Sequence, residues 1–118
     1  MKKKQESIIS QVVLDMAKDF LVRSGYTDIQ RIYYSDSRVK DNIFLAKSNY
    51  NTILVEVMDA ANLRSIPLNG LGTSKRAKAK LARLKETAQS LGLETFRLDA
   101  LWINSATSTA YSHIMNIK

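Results

Sequence analysis

The stretch "NTILVEVM", Asn51–Met58, is the most strand-like segment of the chain, because β-branched and large aliphatic side chains dominate it. Two further strand-like runs precede it, "DIQRIYYS" at Asp28–Ser35 and "NIFLA" at Asn42–Ala46. The segments that connect the three runs, "DSRVKD" and "KSNYN", are short and polar. Adjacent strands joined by short turns predict an antiparallel meander.

An amphipathic helix and a fourth strand are predicted after the meander. Thr73 or Ser74 is the expected N-cap of the helix, and Gly92 follows its last turn. The next run, "LETFRLDALWIN" at Leu93–Asn104, is strand-like. A strand–helix–strand order requires a parallel pair, so the sheet is expected to be mixed. The apolar face of the helix recurs at steps of four, three, four and three residues and consists of Ala77, Leu81, Leu84, Ala88 and Leu91.

The two ends of the chain complete the predicted fold. A first helix is expected from about Ser7 to Ser24, with Gly25 as its stop. The tail "AYSHIMNIK", Ala110–Lys118, is either a last strand or a short helical turn. We therefore expect an α/β fold of order α-β-β-β-α-β plus a terminal element, with a mixed central sheet flanked by helices. The apolar stripe of the first helix is Ile9, Val13, Met16 and Phe20, widened by Val12, Ala17 and Leu21.

The composition is that of one small domain without thiol chemistry. The 118 residues, 45% of them hydrophobic, suffice for a single core, so residues 1–118 are expected to form one domain. The absence of cysteine excludes disulfides and thiolate metal sites and agrees with a reducing compartment, so we expect a cytoplasmic protein. No apolar run approaches the ~20 residues that span a bilayer. The N-terminus "MKKKQESIIS" turns polar too early for a signal peptide.

The charge balance favours a polyanionic partner. Eighteen basic residues against eleven acidic ones give a formal net charge of +7 at pH 7. Such a balance points first to nucleic acid and second to an anionic membrane surface. Net charge is weak evidence by itself, since many small basic proteins bind no nucleic acid.

Glu56 is the first candidate for a functional residue. It lies in the middle of "ILVEVM", with Leu54 and Met58 on its own side of the strand. An ionised carboxylate in such a place is costly unless it is paired or bound to a metal. Two interpretations are open here: a structural glutamate that reaches water or pairs with a lysine, and a metal ligand.

Asp41 is the second candidate. Asp41 and Asn42 open the preceding strand, which a tight turn would place antiparallel beside the strand of Glu56. Carboxylates from two neighbouring strands can converge on a hard divalent cation with oxygen ligands. Asp41 and Glu56 are therefore the predicted metal ligands for Mg²⁺ or Mn²⁺ and, if the site is active, its catalytic residues.

The basic run on the second helix is the candidate nucleic-acid contact. No acid occurs from Ser74 to Lys85, and the first turn is positively charged although the helix dipole favours acids there. Each exposed misplaced charge costs roughly 0.3–1 kcal/mol. The free N–H groups and the dipole of a helix N-terminus suit an anion, which would make this arrangement tolerable. The alternative is a solvated helix face. The predicted phosphate-contacting residues are Lys75, Arg76, Lys78, Lys80 and Arg83, in a run that ends at Lys85.

The order and spacing of these segments resemble the PD-(D/E)XK nuclease-like fold and, more narrowly, the YraN-like bacterial proteins. The resemblance covers nearly the whole chain. It implies a restriction-endonuclease-like core and Mg²⁺- or Mn²⁺-dependent hydrolysis of phosphodiesters, of the DNA endonuclease or resolvase type. The segments that carry it are "AKDFLVRSGY" at Ala17–Tyr26, "NIFLAKSNYNTILVEV", the basic helix, "FRLDALWI" at Phe96–Ile103 and "YSHIMNI" near the end.

The chain departs from that family where the chemistry would lie. The family pattern is an acid followed by Glu-x-Lys on the central strand; Glu56 matches the glutamate, but Met58 stands at the lysine position. The hairpin acid falls on Asn42, or on Asp41 if the register slips by one residue, and such a slip reverses the face of the strand. In related folds the following helix supplies the basic residue, a role open here to Lys75 or Lys78. The glutamate of the family's first helix falls on Leu14, with Asp15 as its neighbour.

Three hypotheses about function follow. The first is a nucleic-acid-binding phosphodiesterase that uses Mg²⁺ or Mn²⁺. The second is a catalytically inactive nuclease-like module that binds DNA or a protein partner as a scaffold, either alone or as a homodimer. The third is an assembly subunit whose basic face meets an acidic protein.

The remaining chemically active side chains are expected to be structural. The lone histidine, His113, is expected to be packed, and Asp99 is expected to pair with Arg97 or Arg64. Core or sheet packing is likewise expected for the aromatic side chains that could stack on bases, Trp102, Tyr33 and Tyr34.

Overall fold

The computed structural model describes residues 11–32 and 42–117, except for the side chain of Tyr111. The order of elements in these ranges confirms the predicted α-β-β-β-α-β core, and the undecided tail is a fifth strand. Within the described ranges, neither helix has the length and apolarity needed to cross a membrane. The elements are α1 (Gln11–Arg23), β1 (Thr27–Ile32), β2 (Ile43–Ser48), β3 (Asn51–Asp59), α2 (Lys75–Ser90), β4 (Arg97–Asn104) and β5 (Thr109–Ile114).

The five strands form one mixed sheet in the order β1-β2-β3-β4-β5. The first three strands are the predicted antiparallel meander, and β3 pairs with β4 in parallel, as the connection through α2 requires. β5 closes the sheet antiparallel to β4. In this register Glu56 of β3 lies between Ile43 of β2 and Ala100 of β4, in the interior of the sheet.

Helix α1 covers one face of the sheet. Its buried residues pack on alternate residues of the central strands, such as Val55, Val57 and Leu101. The predicted stripe differs from the buried face, because Val12 is exposed, Met16 and Phe20 are only partly buried, and Leu14 is buried. The buried face of α1 is Val13, Leu14, Ala17 and Leu21.

Helix α2 covers the opposite face. Leu84 and Ala88 pack there on the other set of alternate strand residues, including Leu54 and Ala100. Ser74 is the N-cap, and its Oγ accepts a hydrogen bond of 3.1 Å from the N–H of Ala77. The predicted stripe is buried at Ala77, Leu84 and Ala88, while Leu91 at the end of the helix is exposed.

β4 begins later than the sequence predicts, at Arg97 instead of Leu93. Leu93 still belongs to the C-terminal cap of α2, because its N–H donates to the carbonyl of Ala88 at 3.0 Å. Gly92, in the left-handed region at φ +76°, turns the chain out of the helix. The residues up to Phe96 are therefore needed to cross from the end of α2 to the sheet.

The loop before α2 is fixed to the sheet by Trp102. The indole N–H of Trp102 donates to the carbonyl oxygen of Gly70 at 2.9 Å. Gly70 is buried with φ +89°, and a Cβ there would lie 2.5 Å from a methyl group of Ile117. Only glycine fits this contact, so the start of α2 has a defined position relative to β4.

Candidate nucleic-acid interface

Glu56 is buried on the face of the sheet that α2 covers. Its side chain is 1% exposed, and Leu54 and Met58 belong to the same face, as the sequence predicts. The alternation along β3 directs Val55 and Val57 to the α1 side. A charged group in this position requires compensation within the protein.

The compensating cation comes from α2. The ammonium Nζ of Lys80 lies 3.3 Å from Oε2 of Glu56, and the side chain of Lys80 is 23% exposed. Lys80 is one turn from Ala77 and from Leu84, both buried against the sheet, so the packing of α2 directs it toward β3. The lysine next to Glu56 is thus Lys80, and not Lys75 or Lys78, which are both exposed.

Asn42, the alternative to Asp41 in the family pattern, does not face Glu56. Its Oδ1 accepts a hydrogen bond of 2.9 Å from Nη2 of Arg31, and Asn42 is buried. Arg31 is paired with Phe44, which belongs to the α1 side of the sheet. Asp41 lies outside the described residues, so its part in a metal site stays a prediction.

The described residues do not by themselves provide a complete set of ligands for a divalent metal. Mg²⁺ and Mn²⁺ prefer several carboxylate or carbonyl oxygens around one point. Within residues 11–32 and 42–117, no group of three histidine or acidic side chains is close enough to hold a metal ion. Moreover, the carboxylate that would be the first ligand, Glu56, already contacts an ammonium group.

Further basic side chains of α2 lie along the helix before and after Lys80. Lys75, Arg76 and Lys78 in the first turns are exposed, and Arg83 one turn beyond Lys80 is half-buried. The acid-free part of the sequence extends from Ala60 to Lys85, so the loop before the helix adds no negative charge. This surface therefore carries a concentrated positive charge at the end of the helix where the dipole is also positive.

The approach to this helix end is preorganised. Asn69 and Gly72 exchange two hydrogen bonds, Nδ2 to the Gly72 carbonyl at 2.9 Å and the Gly72 N–H to Oδ1 at 2.6 Å. A cavity of about 150 Å³ lies between this loop and the helix. Its lining consists of Asn69, Leu71, Gly72 and Thr73 from the loop and Ala77, Lys78 and Leu81 from the helix.

A second polar cluster, which the sequence did not reveal as a unit, lies on the α1 side of the sheet. Asp99 is fully buried and accepts hydrogen bonds from Nε and Nη2 of Arg97 at 2.9 and 3.0 Å. Tyr26 donates to the same carboxylate at 2.8 Å, and His113 approaches it with Nε2 at 2.9 Å. Because an ionised carboxylate only accepts, His113 must carry its proton on Nε2. The expected pairing of Asp99 with Arg97 and the packing of His113 are both confirmed.

This cluster holds Asp99 in its charged form. Burial alone would raise the pKa of Asp99, but hydrogen bonds from His113, Arg97, the N–H of Asn116 and Tyr26 lower the pKa to about 2. Burial and the hydrogen bond to Asp99 raise the pKa of Tyr26, so its phenol stays protonated. A tyrosine in this state is not an activated nucleophile. Every oxygen of the carboxylate has donors, so the cluster is structural.

The other aromatic candidates divide into two groups. Trp102 is buried and bonded to Gly70, which agrees with the structural role expected for it. Tyr33 and Tyr34 lie outside the described residues.

Comparison with known proteins gives a distant structural likeness. No protein-family model matches the sequence, and no curated protein matches it. A crystal structure of an XisH family protein from Nostoc punctiforme is similar, with a TM-score of 0.38 and 14% sequence identity over 88% of this chain and 99% of that one. A likeness at this level carries no weight for function, which is inferred below from the geometry of the chain itself.

Proposed function

We propose that the protein binds the phosphate backbone of nucleic acid, DNA first, with the basic face of α2, and that it does so as a binding module of nuclease-like architecture. The observation that carries this proposal is the placement of exposed Lys75, Arg76 and Lys78 at the positive end of a helix that has no acid until Glu86. Charges that weaken the free helix are stabilised when phosphates bind beside them.

Binding of this kind positions the protein on nucleic acid without recognising the base sequence. Lysine and arginine contacts to phosphate carry no base information. The basic side chains lie along one helix, a linear arrangement that suits a backbone more than a single small anion. The net charge of +7 adds a long-range attraction for the same partner.

Hydrolysis is the less favoured function. The resemblance to nucleases implies a metal held by Asp41 and Glu56, but Met58 occupies the position of the motif lysine, and the described residues contain no group of three histidine or acidic side chains that could hold a metal. The inactive alternative therefore agrees better with the described part of the site.

A matched pair of double variants tests the proposal. Lys75→Gln/Arg76→Gln alters the basic face of α2, whereas Lys18→Gln/Arg23→Gln alters α1 on the opposite side of the sheet. Each pair removes one lysine and one arginine, all four exposed, and lowers the net charge from +7 to +5. We expect the α2 pair to weaken binding of a fluorescent DNA duplex about tenfold or more and the α1 pair to have a small effect, measured by anisotropy.

If the two variants lost the same amount of DNA affinity, the interaction would depend on net charge alone, and this result would contradict an interface on α2. The same samples, incubated with Mg²⁺ or Mn²⁺ and with duplex, single-stranded or branched DNA, are expected to leave the DNA intact. Cleavage that disappears in Glu56→Ala would establish the phosphodiesterase instead.

A further inference from the structure

The contact between Glu56 and Lys80 indicates which cation this carboxylate uses. We propose that the ammonium group of Lys80 is the resident cation of Glu56 and keeps Mg²⁺ and Mn²⁺ from binding there. The inference deepens the proposed function, since it makes nucleic-acid binding independent of divalent metal, but its evidence lies in the two side chains themselves.

The geometry leaves a divalent ion at a disadvantage. Mg²⁺ binds carboxylate oxygens at about 2.0–2.1 Å and needs a near-octahedral set of oxygen ligands. An ammonium 3.3 Å from Oε2 places a positive charge beside the carboxylate, and this charge and a divalent ion repel each other strongly away from bulk water.

The position of Lys80 is held by packing rather than by the ion pair alone. Ala77 and Leu84, one turn before and one turn after Lys80, are buried against the sheet. Their contacts fix the rotation of α2 about its axis and keep the Cα of Lys80 above β3. The packing of α2 therefore keeps the backbone of Lys80 close enough for its ammonium group to reach Glu56.

The cation also faces outward. The side chain of Lys80 is 23% exposed whereas that of Glu56 is 1% exposed, so part of the Lys80 side chain remains available to solvent. Lys80 therefore neutralises the buried carboxylate and still contributes to the positive surface of α2. Glu56 is a positioning residue in this arrangement, since it orients Lys80 and has little contact with solvent.

Thermal unfolding with and without Mn²⁺ tests the proposal. Ligands that bind only the folded state raise the melting temperature, so metal binding at Glu56 is directly visible. We expect Mn²⁺ to leave the melting temperature of the wild-type chain unchanged relative to NaCl of equal ionic strength. Lys80→Met should melt lower in NaCl and regain more than about 4 °C in Mn²⁺, because the carboxylate then lacks its lysine. Lys78→Met, which removes an exposed lysine of the same helix, should show no response to Mn²⁺.

The wild-type measurement can overturn the proposal even if Lys80→Met does not fold. A Mn²⁺-dependent rise in the melting temperature of the wild type that is absent from Glu56→Gln would overturn the proposal. In a parallel anisotropy titration Mg²⁺ competes for the DNA phosphates, so wild type and Glu56→Gln are expected to lose affinity to the same extent when EDTA is replaced by Mg²⁺. Absence of DNA binding in both buffers would refute the proposed function and leave the Mn²⁺ result standing.

Discussion

At the scale of single residues, the described part of the chain buries two carboxylates on opposite faces of one sheet and neutralises each differently. Glu56 has an ammonium from α2 beside it, and Asp99 has a guanidinium, an imidazole and a phenol. The difference is one of exposure. Lys80 connects Glu56 to the basic surface, whereas the partners of Asp99 tie α1, β4 and β5 together.

Asp99 should make the stability of the protein depend on acid pH. Its pKa is about 2 in the folded state against an ordinary 3.8, so the stabilisation is present above pH 3.8 and is lost as the pH falls through about 2. The difference between these two pKa values corresponds to about 2 kcal/mol of folding stability. At pH 7 the free energy of unfolding of Asp99→Asn should be about 3 kcal/mol lower than that of the wild type. This difference should decrease by about 2 kcal/mol between pH 4 and pH 2, because the wild type loses stability there. Urea unfolding at each pH measures both quantities.

Asp28→Asn is the matched control for that experiment. It removes the same charge from an exposed aspartate, and asparagine tolerates the positive φ of 52° found there. The free energy of unfolding of this control should stay within about 0.5 kcal/mol of the wild-type value across the pH range. If Asp99→Asn behaved like this control, the cluster would not be a source of stability.

At the scale of the element, α2 combines a first turn whose positive charges disfavour the helix with a surface suited to binding phosphate. Ser74 caps the helix, and Trp102 holds the loop in front of it, so the first turn forms despite its positive charges. The sequence predicts this helix, its cap and its apolar face well, because these features depend on spacing along the chain. It does not distinguish Lys75, Lys78 and Lys80 as partners of Glu56, because that choice depends on the rotation of the packed helix.

The charges of the first turn should have opposite effects on folding and on binding. Lys75→Gln/Arg76→Gln removes two cations from the positive end of the helix dipole and is expected to stabilise the protein by about 0.3–1 kcal/mol for each charge. The same variant should bind DNA more weakly, as argued above. Chemical denaturation at low salt measures the increase in the free energy of unfolding. This increase should be smaller at high salt, because salt screens the charges. A variant that lost both stability and affinity would show that these side chains support the fold.

At the scale of the whole molecule, the order of elements, the meander and the parallel pair were all predictable from local patterns. The cluster around Asp99 was not, because its members are distant in sequence: Tyr26 and His113 are 87 residues apart. Only the pairing of β4 with β5 and the end of α1 brings them together. The pairing of Asp99 with its near neighbour Arg97 was foreseeable for the opposite reason, since alternate residues of one strand share a face.

The distribution of charge over the molecule gives the last prediction, a salt dependence that reports which surface binds. Each phosphate neutralised by a lysine or arginine contributes about −0.9 to the slope of log K against log salt concentration on duplex DNA. Removing two contacts with Lys75→Gln/Arg76→Gln should therefore flatten the slope by about 1.8, while Lys18→Gln/Arg23→Gln at the same net charge of +5 should leave it near the wild-type value. Duplexes of unrelated sequence should give the same slopes, because backbone contacts do not read bases. Similar slopes for all three proteins would mean that no fixed set of phosphates sits on α2, and the interface would have to be sought elsewhere on the chain.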